Sequence, residues 1–190
     1  MLRADNLYEV PEGLPQPEND QACDHLPGMT IPAIFLPSTR GLSISLAEAS
    51  CEKRVIVYCY PRTGTPNTDP PPGWNDIPGA RGCTPESCAF RDHWQELQAL
   101  QADVFGLSTQ TTEYQQEMTE RLHLPFAVLS DAGLALTQAL RLPTFTVSDM
   151  VLIKRLTLVL RQSKVEYVFY PIFPPDKHAE EVVTWLKKVA

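Results

Sequence analysis

Apolar residues are grouped along the chain into short runs that predict strands and helices in alternation. The run Arg54-Val-Ile-Val-Tyr-Cys-Tyr-Pro61 is β-branched and aromatic at successive positions, as in a strand buried on both faces, and its final proline ends it. Four further apolar residues recur at helical spacing, namely Phe90, Trp94, Leu97 and Leu100. The pattern therefore predicts a central strand followed by a helix with one buried face.

The second half of the chain continues this alternation and then changes. A strand is predicted over 103–108, a helix over 113–122, an extended segment over 126–129 and a helix over 132–140. Two strands over 155–160 and 164–170 surround a short polar connection and predict a hairpin, after which Asp176 caps a last helix through Lys188. Alternation followed by a hairpin indicates an α/β domain with a mixed central sheet and helices on both faces.

Two proline-rich segments interrupt this pattern. Residues 1–37 combine prolines with acidic residues and predict an extended arm that lies across the domain formed by residues 38–190. Between Pro61 and Gly82, six prolines and four glycines exclude a persistent helix or strand. A structureless loop of that length is either functional or disordered. Its part around Trp74 is interpreted as a lid, a docking surface or a stiff connection.

Composition and charge exclude several classes of protein. With 43% hydrophobic and 21% charged residues, the chain has enough apolar material to fold. A net charge of -7 disfavours nucleic acid and anionic membranes as partners, since both require basic surfaces. No apolar run reaches the ~18 residues of a membrane helix, and the charged start at residues 1–6 lacks the apolar stretch of a signal peptide. We therefore expect a cytoplasmic protein.

The cysteines are too few for a disulfide framework, with five in 190 residues, so they indicate chemistry or core packing. Cys83 lies where a helix capped by Thr84 is predicted to begin. Unpaired amide groups and the helix dipole there favour a thiolate, and we expect a lowered pKa. Cys88 follows five residues later, and on a regular helix the two Cα atoms would lie roughly 8 to 9 Å apart, beyond the ~7 Å that a disulfide tolerates. A bond between them would require the first turn to unwind.

Other interpretations of these cysteines remain open. Cys83 and Cys88 could be an unreactive loop and core pair, or part of a zinc site, although the chain lacks C-x2-C spacing and a matching pair of histidines. Cys59 alternates with Val55 and Val57 on one strand face, which predicts core packing.

Several separated motifs resemble those of the peroxiredoxins, specifically the peroxiredoxin Q or bacterioferritin-comigratory-protein group. The first half of the family pattern is matched by Tyr60-Pro61 and Thr65-Pro66, and the second by Gly82-Cys83-Thr84, Glu86, Cys88 and Phe90-Arg-Asp92. Further matches are Lys154-Arg155-Leu-Thr157, Tyr170-Pro171 and Phe173-Pro-Pro175. The resemblance covers roughly residues 30–189 and implies a thioredoxin-like fold.

One departure from the family is an insertion at about residues 68–82, between Thr65-Pro66 and Gly82. The position three before Cys83 is Ala80, which has no hydroxyl group. Either the inserted loop folds outwards and returns Thr65 to Cys83, or another group takes the role of Thr65.

The resemblance implies a peroxidase that reduces hydrogen peroxide and alkyl hydroperoxides without a cofactor or metal. Cys83 would attack the peroxide as a thiolate and become a sulfenic acid, and Cys88 would close an intramolecular disulfide that thioredoxin or a similar dithiol reduces. Arg155 would stabilise the thiolate, Thr65 would orient the peroxide, and Pro61 belongs to the same motif.

Several points remain open at this stage. Cys23 is an alternative resolving residue, and Arg141 or Arg161 could replace Arg155 if the strand register differs. The main rival function is a non-catalytic redox sensor or interaction module that uses the same cysteine pair, with its peroxide pocket dismantled by the insertion. A general thiol-disulfide oxidoreductase is disfavoured because no C-x-x-C pair is present. The protein is expected to be a monomer or a homodimer.

Overall fold

The computed structural model describes residues 6–189. Residues 1–5, which carry most of the charged start of the chain, and Ala190 lie outside the described residues. The strands are β1 (Phe35–Leu36), β2 (Ile44–Ser45), β3 (Arg54–Cys59), β4 (Ala102–Ser108), β5 (Val128–Ser130), β6 (Thr144–Val147), β7 (Met150–Ile153), β8 (Leu156–Arg161) and β9 (Lys164–Phe169). The helices are α1 (Leu46–Ala49), α2 (Cys83–Asp92), α3 (Trp94–Ala99), α4 (Thr112–Leu122), α5 (Ala135–Leu140) and α6 (His178–Val189), with 3₁₀ turns at Trp74–Asp76 and Pro175–Lys177.

The central sheet has five strands in the order β5-β4-β3-β8-β9. Strands β3, β4 and β5 are parallel, whereas β8 is antiparallel to both β3 and β9. Val57 at the centre of β3 faces Phe105 on one side and Leu158 on the other. The sheet is mixed, as predicted, because parallel pairing through helical crossovers is followed by a hairpin.

Alternate side chains of β3 enter two separate apolar cores. Ile56 and Tyr58 lie in a core with residues from α2, α3, α4 and α6. Val55, Val57 and Cys59 lie in a core on the other face with residues from α1 and α5. Helices therefore cover both faces, and the prediction that Cys59 packs in the core is confirmed.

The proline-rich arm contributes to the second of these cores. Its residues Cys23, Leu26 and Ile31 are buried there, and backbone hydrogen bonds connect it to the start of β9. The two-residue strand β1 lies within the segment predicted to be irregular. The domain boundary at residue 37 stays a prediction.

Three further predictions are corrected by the structure. Helix α2 begins at Cys83 with Gly82 as its N-cap, so Thr84 lies inside the first turn and does not cap it. The predicted helix over the Phe90–Leu100 stripe is two helices, separated at His93. Asp176 belongs to the 3₁₀ turn, and α6 begins only at His178. The two helix starts differ from the predictions by one or two residues, because several polar residues near each start could serve as its cap.

Candidate active site

Cys83 is the first residue of α2, directly beyond the sheet-to-helix connection. Gly82 precedes it with φ of 100°, a left-handed conformation that glycine adopts without a side-chain clash. The side chain of Cys83 is only 3% exposed and packs in the core beside Tyr60. A nearly enclosed sulfur atom thus lies at the N-terminus of a helix, whose first amide groups lack partners within the helix.

Arg155, immediately before β8, reaches this sulfur. Its Nη2 lies 3.2 Å from Cys83 Sγ and also donates to the carbonyl oxygen of Arg81 at 3.0 Å, while its Nε donates to Gly79 at 3.3 Å. Arg141 and Arg161 are both exposed. The structure therefore brings Arg155, and neither alternative arginine, to Cys83.

Glu86, one turn into α2, is the second anion on the same guanidinium. Its Oε2 accepts a hydrogen bond from Nη1 of Arg155, both side chains are buried, and Oε1 has no hydrogen-bond partner in the described residues. A buried charge requires a partner of this kind because its desolvation is costly. Arg155 therefore lies between a carboxyl group and a thiol.

The ionisation of Cys83 depends on this arrangement. Burial raises the pKa of the Cys83 thiol, Arg155 is the main influence that lowers it, and Glu86 raises it further. Burial likewise raises the pKa of Glu86 against the lowering effect of Arg155. The pKa of Cys83 is therefore raised rather than lowered as the helix dipole predicted, because the sequence argument did not include desolvation.

A small cavity of about 20 Å³ opens onto Cys83. Its walls come from residues 62–64 after β3, residues 81–84 at the start of α2, Leu7 of the arm and Trp74 of the insertion. The backbone N–H of Arg62 forms a hydrogen bond with the Cys83 sulfur. Thr63 is buried, and its Oγ1 donates to Oε1 of Gln110 at 3.2 Å.

Thr65 and Pro61 do not line this cavity. Thr65 is half-buried, and its Oγ1 donates to Oγ1 of the exposed Thr68 at 3.0 Å. Pro61 is buried just beyond the end of β3. The threonines that line the cavity are Thr63 and Thr84. The sequence marks Thr63 only by its position between Pro61 and Thr65 of the motif. The path of the insertion decides which threonine lies at the cavity.

The insertion folds against the body of the protein. Trp74 packs with Ala80 and Leu152 in a third apolar cluster, and its ring centroid lies 6.2 Å from that of Phe145 in β6. Trp74 is 5% exposed. The part of the insertion around Trp74 therefore forms an anchored wall beside the site, and its interpretation as a lid, a docking surface or a stiff connection stays a prediction.

The other four cysteines lie outside the cavity at Cys83. Cys88 is half-buried in α2, where burial raises the pKa of its thiol and the neighbouring Arg91 lowers it. Cys23 and Cys59 are buried in the core on the opposite face of the sheet, and burial raises the pKa of Cys23 to about 12. Cys51 is exposed. No group of three or more His, Cys, Asp or Glu residues that could hold a metal ion occurs within residues 6–189.

Gly82 permits a close approach between α2 and the Pro175–Lys177 turn. A Cβ atom at Gly82 would overlap the ring of Pro175, and its φ would strain any other residue. We expect Gly82→Ala to lower the free energy of unfolding by about 2 to 4 kcal/mol, from left-handed strain and overpacking together. Urea unfolding monitored by circular dichroism measures this. The control is Gly133→Ala, where a Cβ meets nothing within 4 Å. Equal midpoints for both variants would contradict the packing argument.

Comparisons with known proteins identify the family to which this site belongs. A family model described as Redoxin matches residues 26–183. The chloroplastic peroxiredoxin Q of Sedum lineare is 31% identical over 165 residues, which cover 85% of this chain and 78% of that protein. The chain belongs to the peroxiredoxin Q group of the redoxin family. This peroxiredoxin is accordingly a thiol peroxidase.

Further relatives support the assignment of this peroxiredoxin to the family. Peroxiredoxin bcp1 of Schizosaccharomyces pombe is 31% identical over 128 residues, 64% of this chain and 58% of that protein. The crystal structure of peroxidoxin BcpB from Mycobacterium tuberculosis is similar with a TM-score of 0.70 at 25% identity, covering 87% of this chain and 99% of that one. Xanthomonas campestris peroxiredoxin Q gives a TM-score of 0.68 at 21% identity, over 86% and 96% of the two chains.

These structural neighbours confirm the predicted thioredoxin-like fold of this peroxiredoxin. Within residues 6–189, no helix is long and apolar enough to cross a membrane.

Proposed function

We propose that this peroxiredoxin reduces hydroperoxides with Cys83 as the peroxide-reacting thiol and Cys88 as the resolving thiol. The observation that carries the proposal is the contact of 3.2 Å between Nη2 of Arg155 and Sγ of Cys83, at the N-terminus of a helix. A permanent cation is needed there because burial opposes ionisation of the thiol.

In the first step the Cys83 thiolate attacks the terminal oxygen of a hydroperoxide, ROOH. A sulfur–oxygen bond forms, the oxygen–oxygen bond breaks, and the leaving RO⁻ takes up a proton as water or an alcohol. Cys83 is oxidised to a sulfenic acid. Arg155 and the N–H of Arg62 already point at the sulfur, so positive charge stabilises the developing anion without reorganisation.

In the second step Cys88 attacks the sulfur of the Cys83 sulfenic acid. A disulfide forms, and the hydroxyl group leaves as water after taking up a proton. Both cysteines lie within the continuous helix α2, so this turn must unwind before their sulfur atoms can bond. Pro85 in the first turn has no backbone N–H to lose, and the Gly79–Gly82 segment before it can absorb the displacement.

In the last step a dithiol protein of the thioredoxin type returns two electrons to the disulfide. Its thiolate attacks one cysteine sulfur, a mixed disulfide forms, and its second thiol releases the reduced enzyme. Cys23 does not replace Cys88 in this scheme, because it is buried on the opposite face of the sheet.

The test is consumption of hydrogen peroxide by the full chain with thioredoxin, thioredoxin reductase and NADPH in excess. Many turnovers per enzyme molecule support the proposal. Oxidation of one equivalent followed by arrest of NADPH consumption would instead support a redox sensor with the same cysteine pair. A control without thioredoxin should stop after one equivalent.

Replacement of Cys88 tests the resolving step. We expect Cys88→Ser to undergo one oxidation at Cys83 and then stop, because the sulfenic acid has no intramolecular partner and proceeds to sulfinic acid or to capture by small thiols. Mass spectrometry of Cys83 after a single peroxide addition measures this. The control is Cys51→Ser at an exposed thiol, which should turn over normally. Turnover of Cys88→Ser at the wild-type rate would transfer the resolving role to another thiol.

A further inference from the structure

The cavity at Cys83 is far smaller than the cavity of about 380 Å³ that also touches Arg62. Its volume of about 20 Å³ only slightly exceeds the ~10–15 Å³ needed to hold one water molecule. Hydrogen peroxide has two non-hydrogen atoms, so it is the hydroperoxide that best fits such a space. A tert-butyl or cumyl group would require the walls to move.

Two of these walls come from segments outside the strands and helices of the domain. Leu7 belongs to the proline-rich arm, and Trp74 belongs to the insertion that separates Pro66 from Gly82. Both segments are anchored. Trp74 is packed against Phe145 and Leu152, and Tyr8, next to Leu7, accepts a hydrogen bond at its hydroxyl from Nη1 of Arg121 at 3.3 Å.

Arg121 contacts both the arm and a segment of the site. Nη2 of Arg121 donates to the carbonyl oxygen of Gly64, at 3.2 Å, in the segment that forms another wall of the cavity. Arg121 also pairs with Glu117 in its own helix α4. The wall formed by the arm is therefore held to the same helix that supports residues 62–64.

A larger cavity of about 380 Å³ lies beyond Arg62, at the ends of β4 and β5. Among residues 6–189, Arg62 alone lines both cavities. Its guanidinium lies 5.6 Å from the ring centre of Tyr114, and Nη2 lies 3.5 Å from the Tyr114 hydroxyl oxygen. Arg62 therefore forms part of the wall of both the small cavity at Cys83 and this larger space.

We infer that Leu7 and Trp74 are specificity-determining residues, which admit hydrogen peroxide to Cys83 and exclude bulky organic hydroperoxides. This inference rests on the proposed function of Cys83. Steric exclusion acts on the approach of the peroxide and leaves the Arg155 contact unchanged, so it affects the choice of substrate rather than the chemistry.

The experiment compares hydrogen peroxide with cumene hydroperoxide in single-turnover reactions of the full chain. Oxidation of Cys83 is followed by trapping the sulfenic acid with dimedone and by mass spectrometry. Each rate constant is divided by that of glutathione with the same peroxide, which removes the intrinsic difference between the two reagents. The variants are Leu7→Ala, Trp74→Leu and the double variant. The controls are Leu42→Ala, at a side chain that is 76% exposed, and Trp185→Leu in α6.

We expect the wild type to favour hydrogen peroxide by roughly 10- to 200-fold after this correction, the range that a small steric difference produces. The variants at Leu7 and Trp74 should lose at least tenfold of that preference through faster reaction with cumene hydroperoxide. The controls should keep it.

The outcomes separate the two hypotheses. A wild type that reacts equally well with both peroxides, or variants that keep the wild-type preference, would overturn the specificity assignment and leave the peroxidase intact. Failure of hydrogen peroxide to oxidise Cys83 at all would overturn the proposed function itself. If Trp74→Leu unfolds, Leu7→Ala still decides, because it changes a wall that comes from a different segment.

Discussion

Cys83→Ser should abolish peroxide reduction altogether. A hydroxyl group is not ionised near neutral pH and cannot attack the oxygen–oxygen bond as a thiolate does. Burial makes the loss complete, because the site that already opposes ionisation of a thiol opposes ionisation of an alcohol more strongly. The fold should remain, since serine occupies less space and retains the helix start. The measurement is peroxide consumption with thioredoxin supplied, at enzyme concentrations high enough to detect a thousandth of wild-type activity.

Cys59→Ala is the control for this experiment. Cys59 is fully buried on the opposite face of the sheet, so its replacement alters packing without touching the site. Its activity, corrected for the folded fraction, should equal that of the wild type. Residual turnover of Cys83→Ser above background would remove Cys83 from the role of nucleophile.

Arg155→Met should produce the second largest effect, a decrease in the rate of Cys83 oxidation on the order of 10- to 1000-fold. Arg155 lowers the pKa of Cys83 against the effect of burial, so its removal raises that pKa further. At neutral pH the fraction of thiolate falls, and the pH dependence of the oxidation rate shifts to higher pH. Stopped-flow oxidation between pH 5 and 10 (roughly the range around the ordinary thiol pKa) measures the shift.

Loss of Arg155 also leaves Glu86 buried without its cation, which costs about 3 to 5 kcal/mol when one partner of a buried pair is removed. A double variant, Arg155→Met with Glu86→Gln, separates stability from catalysis. It should recover stability, because neither member of the buried Arg155–Glu86 pair is then charged, while the oxidation rate stays low. Arg161→Met at an exposed arginine is the matched control and should change neither quantity. Recovery of the oxidation rate in the double variant would show that Arg155 acts only by neutralising Glu86.

Arg155 lies just before β8, and its neighbours hold it in a fixed position. Thr157, two residues later and on the same side of the strand, pairs with Tyr58 of β3. A residue just before β8 is thus held at the edge of the sheet that faces α2. The backbone of the 79–81 segment accepts the remaining guanidinium hydrogens, so the insertion that departs from the family pattern itself orients Arg155.

Local patterns in the chain predict β3, β4, α4 and the β8–β9 hairpin, because each is long enough to show its periodicity. The β6–β7 hairpin escaped prediction. Its strands have four residues each, and its turn uses Ser148 and Asp149 at positive φ, where the asparagine–glycine pair that marks such turns is absent. Short strands without a turn signal have too few residues to separate them from loops.

Cys83, Cys88 and Arg155 could be selected as candidates from residue types and motif spacing. The burial of these residues and the side chains around them could not be predicted in this way. Burial of Cys83 depends on contacts between segments far apart in the chain, and it reversed the expected direction of the pKa shift. The insertion separates Thr65 from Cys83 and leaves Thr63 at the cavity, with Trp74 and Leu7 closing it. Spacing along a chain constrains a helix or a strand, whereas the path of a 15-residue proline-rich insertion at about residues 68–82 is set by where its tryptophan finds apolar partners.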